Sequence, residues 1–130
     1  MNFSSRAWIM LAGLLGASGV ALGALAAHAV SDPVAMASLE RASTYQVLHA
    51  VALLALSGVS IRLMGLARIV MLLGIIGFSG AIYAKYLLGL PLLGKLAPTG
   101  GTALIVSWLL VLISAMLSSR SESGEASDSN

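Results

Sequence analysis

The chain of 130 residues contains no cysteine. That excludes disulfides, thiolate catalysis, and zinc or iron–sulfur sites held by cysteine. Charge is scarce as well. Asp, Glu, Lys and Arg make up 9% of the residues, against about 25% in an ordinary soluble domain. The seven Lys and Arg are scattered along the chain, so a pI near 9.4 points to membrane topology and headgroup contact, not to a clustered nucleic-acid face. Apolar stretches take up almost the whole length. They leave no room for a separate soluble catalytic domain.

What is present is apolar. Hydrophobic residues make up 58% of the chain and the mean hydropathy is +0.98. Four stretches approach the roughly 20 residues that cross a bilayer core about 30 Å thick. The expected fold is all-α: an integral membrane four-helix bundle with spans at about 7–30, 42–61, 69–88 and 98–118. Ser31-Asp32-Pro33 is a helix start signal. It opens a short interfacial helix over 34–41, carrying Glu40 and Arg41, between helices one and two. Arg62 and Arg68 bracket a tight connection, and Gly89 to Leu96 is a Gly/Pro-broken loop at the membrane surface. Residues 119–130 are rich in Ser, Glu and Asp and are expected to be a disordered tail. Ala24-Leu25-Ala26 and Ala27-His28-Ala29 resemble signal-peptide cleavage sites. The preceding apolar run is longer than the usual 7–15 residues and is broken by glycines, which favours a retained helix. Four spans put both termini on one side. Arg6, Arg62, Arg68 and Arg120 share it, favouring cytoplasmic termini in a plasma membrane such as the bacterial inner membrane.

Glycines form stripes. Gly13, Gly16, Gly19 and Gly23 mark helix one, and Gly74, Gly77 and Gly80 mark helix three. Small residues let membrane helices approach closely. These glycines, with Gly100 and Gly101 at the start of helix four, are expected to serve helix packing.

Polar side chains are expensive in hydrocarbon. The stretch Thr44-Tyr45-Gln46-Val47-Leu48-His49 is therefore the central feature of the chain. Taking Arg62 and Arg68 as inner-surface markers, Tyr45 and Lys85 both come out about 25 Å up their helices, and His49 about 20 Å. Tyr45, Gln46 and Lys85 should then share one level. Lys85 either snorkels to the outer surface or faces that level from inside the bundle. His28 and His49 invite a bis-histidine haem reading, but their depths differ by about 13 Å. No cofactor and no metal is therefore expected. Thr99, in Pro98-Thr99-Gly100-Gly101, is a candidate N-cap of the fourth helix. His28, Tyr45, Gln46, His49, Lys85 and Thr99 make up the candidate polar cluster.

Several segments together carry a family likeness. They are Gly23-Ala24-Leu25-Ala26-Ala27-His28, Tyr45-Gln46-Val47-Leu48-His49-Ala50, Phe78-Ser79-Gly80-Ala81-Ile82-Tyr83, and Pro98-Thr99-Gly100-Gly101 with Trp108. In order and spacing, roughly residues 8–118 resemble domain-of-unknown-function family 423, which includes the transmembrane-protein-256-like proteins of animals. The resemblance implies four membrane helices and no established activity. Lys85 falls where that family is usually apolar. The expected function is a non-enzymatic accessory or scaffold subunit, partnered by the lipid bilayer and by another membrane protein or a second copy. The alternative is a small-solute or ion transporter using the Tyr45, Gln46, His49 and Lys85 layer. Haem, quinone or lipid binding ranks below both.

Overall fold

The computed structural model describes residues 3–128, with side chains through residue 119. The element order is α1 (Phe3–Ala29), α2 (Pro33–Leu56), α3 (Met64–Ile75), a π-helical turn (Ile76–Gly80), α4 (Ala81–Leu87), a 3₁₀ turn (Leu93–Leu96) and α5 (Ala97–Asp128). α3, the π turn and α4 run on as one rod, so the chain folds as four rods. Three of them, Phe3–Ala29, Met64–Leu87 and Leu93–Ser119, are long and apolar enough to cross a membrane.

The fourth rod is α2. Its 24 residues give about 36 Å of helix. It is less apolar because it carries the exposed Glu40 and Arg41 and several polar residues, of which Ser43, Gln46 and His49 are buried. A polar side chain inside a bilayer must find its partners within the protein. α2 therefore takes the inner position. α1 packs along it, and α3, the π turn and α4 pack on its other side, while α5 lies against α3. The apolar core joins all four rods through Ala12, Ala52, Leu53, Met71, Ile75 and Leu104.

The ends of α2 explain two departures from expectation. Asp32 caps its start, accepting a hydrogen bond from the Ala35 N–H at 2.8 Å, and Pro33 follows in the first turn. From there the helix is continuous to Leu56. The separate interfacial helix expected over 34–41 is its first two turns, because nothing between Glu40 and Ala42 breaks a helix. α2 also stops five residues short of the expected Ile61. Ser57-Gly58-Val59-Ser60 are weak helix formers, whereas Met64 to Ala67, expected as a connection, are mostly strong ones and open α3. The turn itself closes on Leu63 in the left-handed region, at φ 67°.

Arg68 fastens this corner. Its Nη1 donates to the carbonyls of Leu56 at 2.9 Å and Ser57 at 3.0 Å, capping the C-terminal end of α2. Its guanidinium lies 5.5 Å from the centre of the Trp8 ring of α1. One side chain thus ties three rods together.

At the other end, Gly89 adopts φ +65° and the Leu90 N–H returns to the Ala84 carbonyl at 3.0 Å, turning the chain out of α4. α5 begins at Ala97, so Thr99 sits inside its first turn and is not the N-cap. α5 then runs past the expected end at 118 to Asp128. Lengthening an existing helix needs no new nucleus, which is why this polar stretch, expected to be disordered, continues as helix. Residues 129 and 130 of that expected tail lie outside the described residues.

Candidate functional site

The site is built on two faces of α2. The first face meets α1. Ser43 Oγ donates to the Gly19 carbonyl at 2.7 Å. Gln46 Nε2 donates to the Leu15 carbonyl and to Ser18 Oγ, both at 2.8 Å. These bonds need the α1 backbone close by, and Gly19 and Gly23 permit it. A Cβ at Gly19 would meet Val47 Cγ2 at 2.8 Å, and one at Gly23 would run into Ser43 Oγ. On the side toward the third rod, Ser79 Oγ donates to the Ala42 carbonyl at 2.7 Å.

The second face carries His49, which is 3% exposed. Its Nδ1 lies 2.6 Å from the Tyr45 carbonyl, and Trp108 Nε1 of α5 lies 3.1 Å from its Nε2. An indole N–H can only donate. Nε2 is therefore the acceptor, and Nδ1 carries the proton and donates to Tyr45. Both ring nitrogens are committed. The Tyr45 ring, 45% exposed, lies 6.1 Å from the His49 ring and 5.1 Å from that of Phe78. Together they wall a groove of about 380 Å³ between α2, the π turn and α5, lined also by Leu48, Gly101, Leu104 and Ile105.

The π turn matters here. Within it, Phe78 faces this groove and the next residue, Ser79, reaches Ala42. Such turns are frequent at functional sites.

The candidate polar cluster is only partly brought together. Tyr45, Gln46 and His49 are adjacent on α2 but face different neighbours. Lys85 is exposed, and its Nζ lies 4.8 Å from the Tyr86 ring. Tyr86 OH is 3.4 Å from Ser38 Oγ. Lys85 therefore sits near Ser38, about two turns beyond Tyr45, and not at its level. The expected depths fail because Arg68 aligns with Leu56, not with Arg62. Counting from Leu56 the same number of residues that separates Arg68 from Lys85 reaches Leu39. His28 is exposed in the last turn of α1, and Thr99 is exposed on α5. Among the described residues there is no group of three or more His, Asp or Glu side chains able to hold a metal.

The glycines divide as well. Gly74 and Gly77 face α5: a Cβ at Gly74 would meet Leu104 Cδ2 at 2.7 Å, and one at Gly77 would meet Gly100 Cα at 3.1 Å. A Cβ at Gly100 would run into the Gly77 carbonyl carbon and the Phe78 nitrogen, and one at Gly101 would touch Phe78 at 3.6 Å. Gly13 and Gly16 have nothing within 4 Å, and Gly80 meets only Ile76 of its own rod at 3.9 Å. Those three do not pack against a neighbouring helix as expected. α1 has one close neighbour, and the lower part of its stripe borders an open hollow against it.

Sequence reasoning passed over Ser43, Ser79 and Arg68 as site residues and read Trp108 only as part of a family likeness. A signal for Trp108 existed. It lies mid-span, whereas membrane tryptophans favour the interfaces.

Four packed rods with a polar helix inside define a small multi-pass helical membrane protein. The family model described as "Protein of unknown function (DUF423)" matches residues 22–101, and the chain belongs to that family. The matched region includes the Tyr45 to His49 stretch and ends at Gly101. The chain is 32% identical to the "UPF0382 membrane protein" of Staphylococcus epidermidis, covering 85% of this chain and 96% of the relative. It is 31% identical to the "UPF0382 inner membrane protein YgdD" of Escherichia coli, covering 87% and 92%. A "UPF0382 membrane protein" of Haemophilus influenzae is 33% identical over 78% of this chain and 87% of its own. No solved structure matches the chain.

Proposed function

We propose that this protein does no chemistry of its own and serves as an accessory or scaffold subunit among membrane proteins, in a bacterial inner membrane with both termini cytoplasmic. One observation carries the reading. Four buried polar side chains of the α2 layer already bond to the protein: Ser43 and Gln46 to the backbone of α1, Ser79 to that of α2, and His49 to Tyr45 and Trp108. Their role is to hold rods together. The transporter alternative draws no such support, because Gln46, His49 and Lys85 point to three different surroundings.

The open glycines add a surface. Gly13 and Gly16 lie with Ile9, Ala12, Ala50, Val51 and Leu54 around a shallow apolar hollow of about 370 Å³ between α1 and α2. A small-residue face of this kind suits close approach by another membrane helix. Extraction from native membranes into nanodiscs, followed by mass spectrometry, tests the role. A stoichiometric partner or a second copy is expected, and Gly13→Leu with Gly16→Leu should release it without loss of stability. A monomer that carries nothing would refute the scaffold role. In liposomes, wild type and His49→Ala should leak a dye or ion equally. A reporter fused to the C-terminus should read cytoplasmic.

A further inference from the structure

The groove between Tyr45, Phe78 and Trp108 lies open beside one of the bonds that hold the rods together, and a second property follows from it. Its mouth is formed by Leu48 and Ile105, 56% and 64% exposed, and its floor by buried His49 and Leu104. Trp108 stands near the middle of the apolar part of α5, Leu93–Ser119, so the groove opens sideways toward hydrocarbon. Its volume lies within the range of about 300–1,000 Å³ common to small-molecule sites.

Two features set the chemistry of an occupant. The first is aromatic. Tyr45 and Phe78 are tilted by 51° to each other, and Trp108 by 58° to His49. Such walls favour offset or edge contact with a flat ring. The second is polar. The floor presents one donor facing one acceptor, the Trp108 N–H and His49 Nε2. A hydroxyl serves both, because its oxygen accepts from the indole while its proton goes to Nε2. A carbonyl or an ether oxygen answers only the indole and leaves Nε2 bare, and a buried acceptor without a partner is disfavoured. His49 cannot turn aside, since Nδ1 is tied to Tyr45. Trp108 is 44% exposed, so its side of the bond borders the opening.

We propose that this groove binds a lipid-soluble phenol or quinol. The ring lies among Tyr45, Phe78 and Trp108. The hydroxyl inserts between Trp108 Nε1 and His49 Nε2. The apolar tail leaves past Leu48 and Ile105 into the bilayer.

The test uses the full chain in nanodiscs and equilibrium binding of radiolabelled 4-decylphenol, with empty nanodiscs as background. Saturable binding is expected, at least tenfold tighter than that of 4-decylanisole, whose oxygen cannot donate, and tighter than that of an aliphatic alcohol of matched length. A decyl-tailed benzoquinol should displace the phenol at least tenfold better than its oxidised quinone. Trp108→Phe keeps a ring but removes the donor, so preference for phenol over anisole should shrink severalfold while the apolar part of binding persists. Gly101→Leu fills the groove from its wall and should abolish binding of both, and its Cβ meets Phe78 only at ordinary contact distance. The helical signal and unfolding midpoint of each variant show that it folds. No saturable binding above empty nanodiscs, equal binding of phenol and anisole, or equal displacement by quinol and quinone would each overturn the proposal. The co-purification test of the scaffold role is independent of these outcomes.

Discussion

Replacing Gly100 with alanine should separate α5 from the third rod, and the size of the effect can be worked from the contacts. Carbon atoms rest about 3.5–4.0 Å apart. A Cβ at Gly100 falls well inside that distance from the Gly77 carbonyl carbon and the Phe78 nitrogen. Both are backbone atoms, so no side chain can rotate to make room. α5 must retreat by about 1 Å, and a gap of 0.5–1 Å forfeits about a quarter to a half of each contact's attraction. The loss spreads along the seam to Leu104, which packs over Gly74. Overpacking of this kind costs about 1–3 kcal/mol, and a backbone collision belongs at the upper end. Alanine regains up to about 1 kcal/mol of helix propensity over glycine. Gly13→Ala isolates that second contribution, because nothing lies within 4 Å of Gly13. The two variants should therefore differ by about 3 kcal/mol, with Gly13→Ala neutral or slightly stabilising. Reversible unfolding in mixed micelles with increasing sodium dodecyl sulfate, followed by circular dichroism, measures the difference. Equal midpoints for the two variants would refute the close approach of Gly77 and Gly100.

Gln46→Leu should weaken the hold of α1 by about 1–2 kcal/mol, since it removes two hydrogen bonds of a kind that average about 0.6 and reach about 1.7 kcal/mol in membranes. An engineered disulfide between α1 and α2, clean in a chain without cysteine, should rescue it. Arg68→Lys should cost about 1–2 kcal/mol in the same unfolding assay, because an ammonium that replaced Nη1 at the Leu56 and Ser57 carbonyls would leave no guanidinium over the Trp8 ring; Arg62→Lys, at an exposed position, should be silent. Leu63→Gly should stabilise by up to about 1 kcal/mol by relieving its left-handed backbone, and a loss of stability would show that the Leu63 side chain outweighs that strain. Nitrogen-15 spectra of histidine-labelled protein should show His49 protonated at Nδ1 and bare at Nε2, and Trp108→Phe should shift the Nε2 resonance; the reverse tautomer would contradict the Trp108 bond.

Rod number and class were legible because membrane spans announce themselves by length and apolarity, and Asp32-Pro33 announced the start of α2. Boundaries were less so. Arg62 and Arg68 look like equivalent markers in the sequence, but only the folded chain shows Arg68 reaching back to Leu56. That one displacement moved Lys85 from the level of Tyr45 to that of Ser38. The glycines show the same limit. A stripe tells that a face is small, and it does not tell whether a neighbour covers it, so Gly19 and Gly23 could not be told from Gly13 and Gly16. The cost of Gln46 and His49 was legible. Their partners, Leu15, Ser18 and Trp108, lie 28 or more residues away and carry no local signal.

The placement of α2 follows from the solvent. In water the most polar helix of a bundle would turn outward. In hydrocarbon the same helix has to go inside, because only protein can satisfy Ser43, Gln46 and His49. Once inside, its hydrogen bonds do two different things. Those toward α1 end on backbone carbonyls and on Ser18, along a seam closed by Gly19 and Gly23. The bond from Trp108 to His49 ends at the edge of a groove, joins two side chains, and depends on an indole that is almost half exposed. Its position at an opening, beside a π turn whose Phe78 shares the same wall, marks it as a polar contact that an outside hydroxyl can enter.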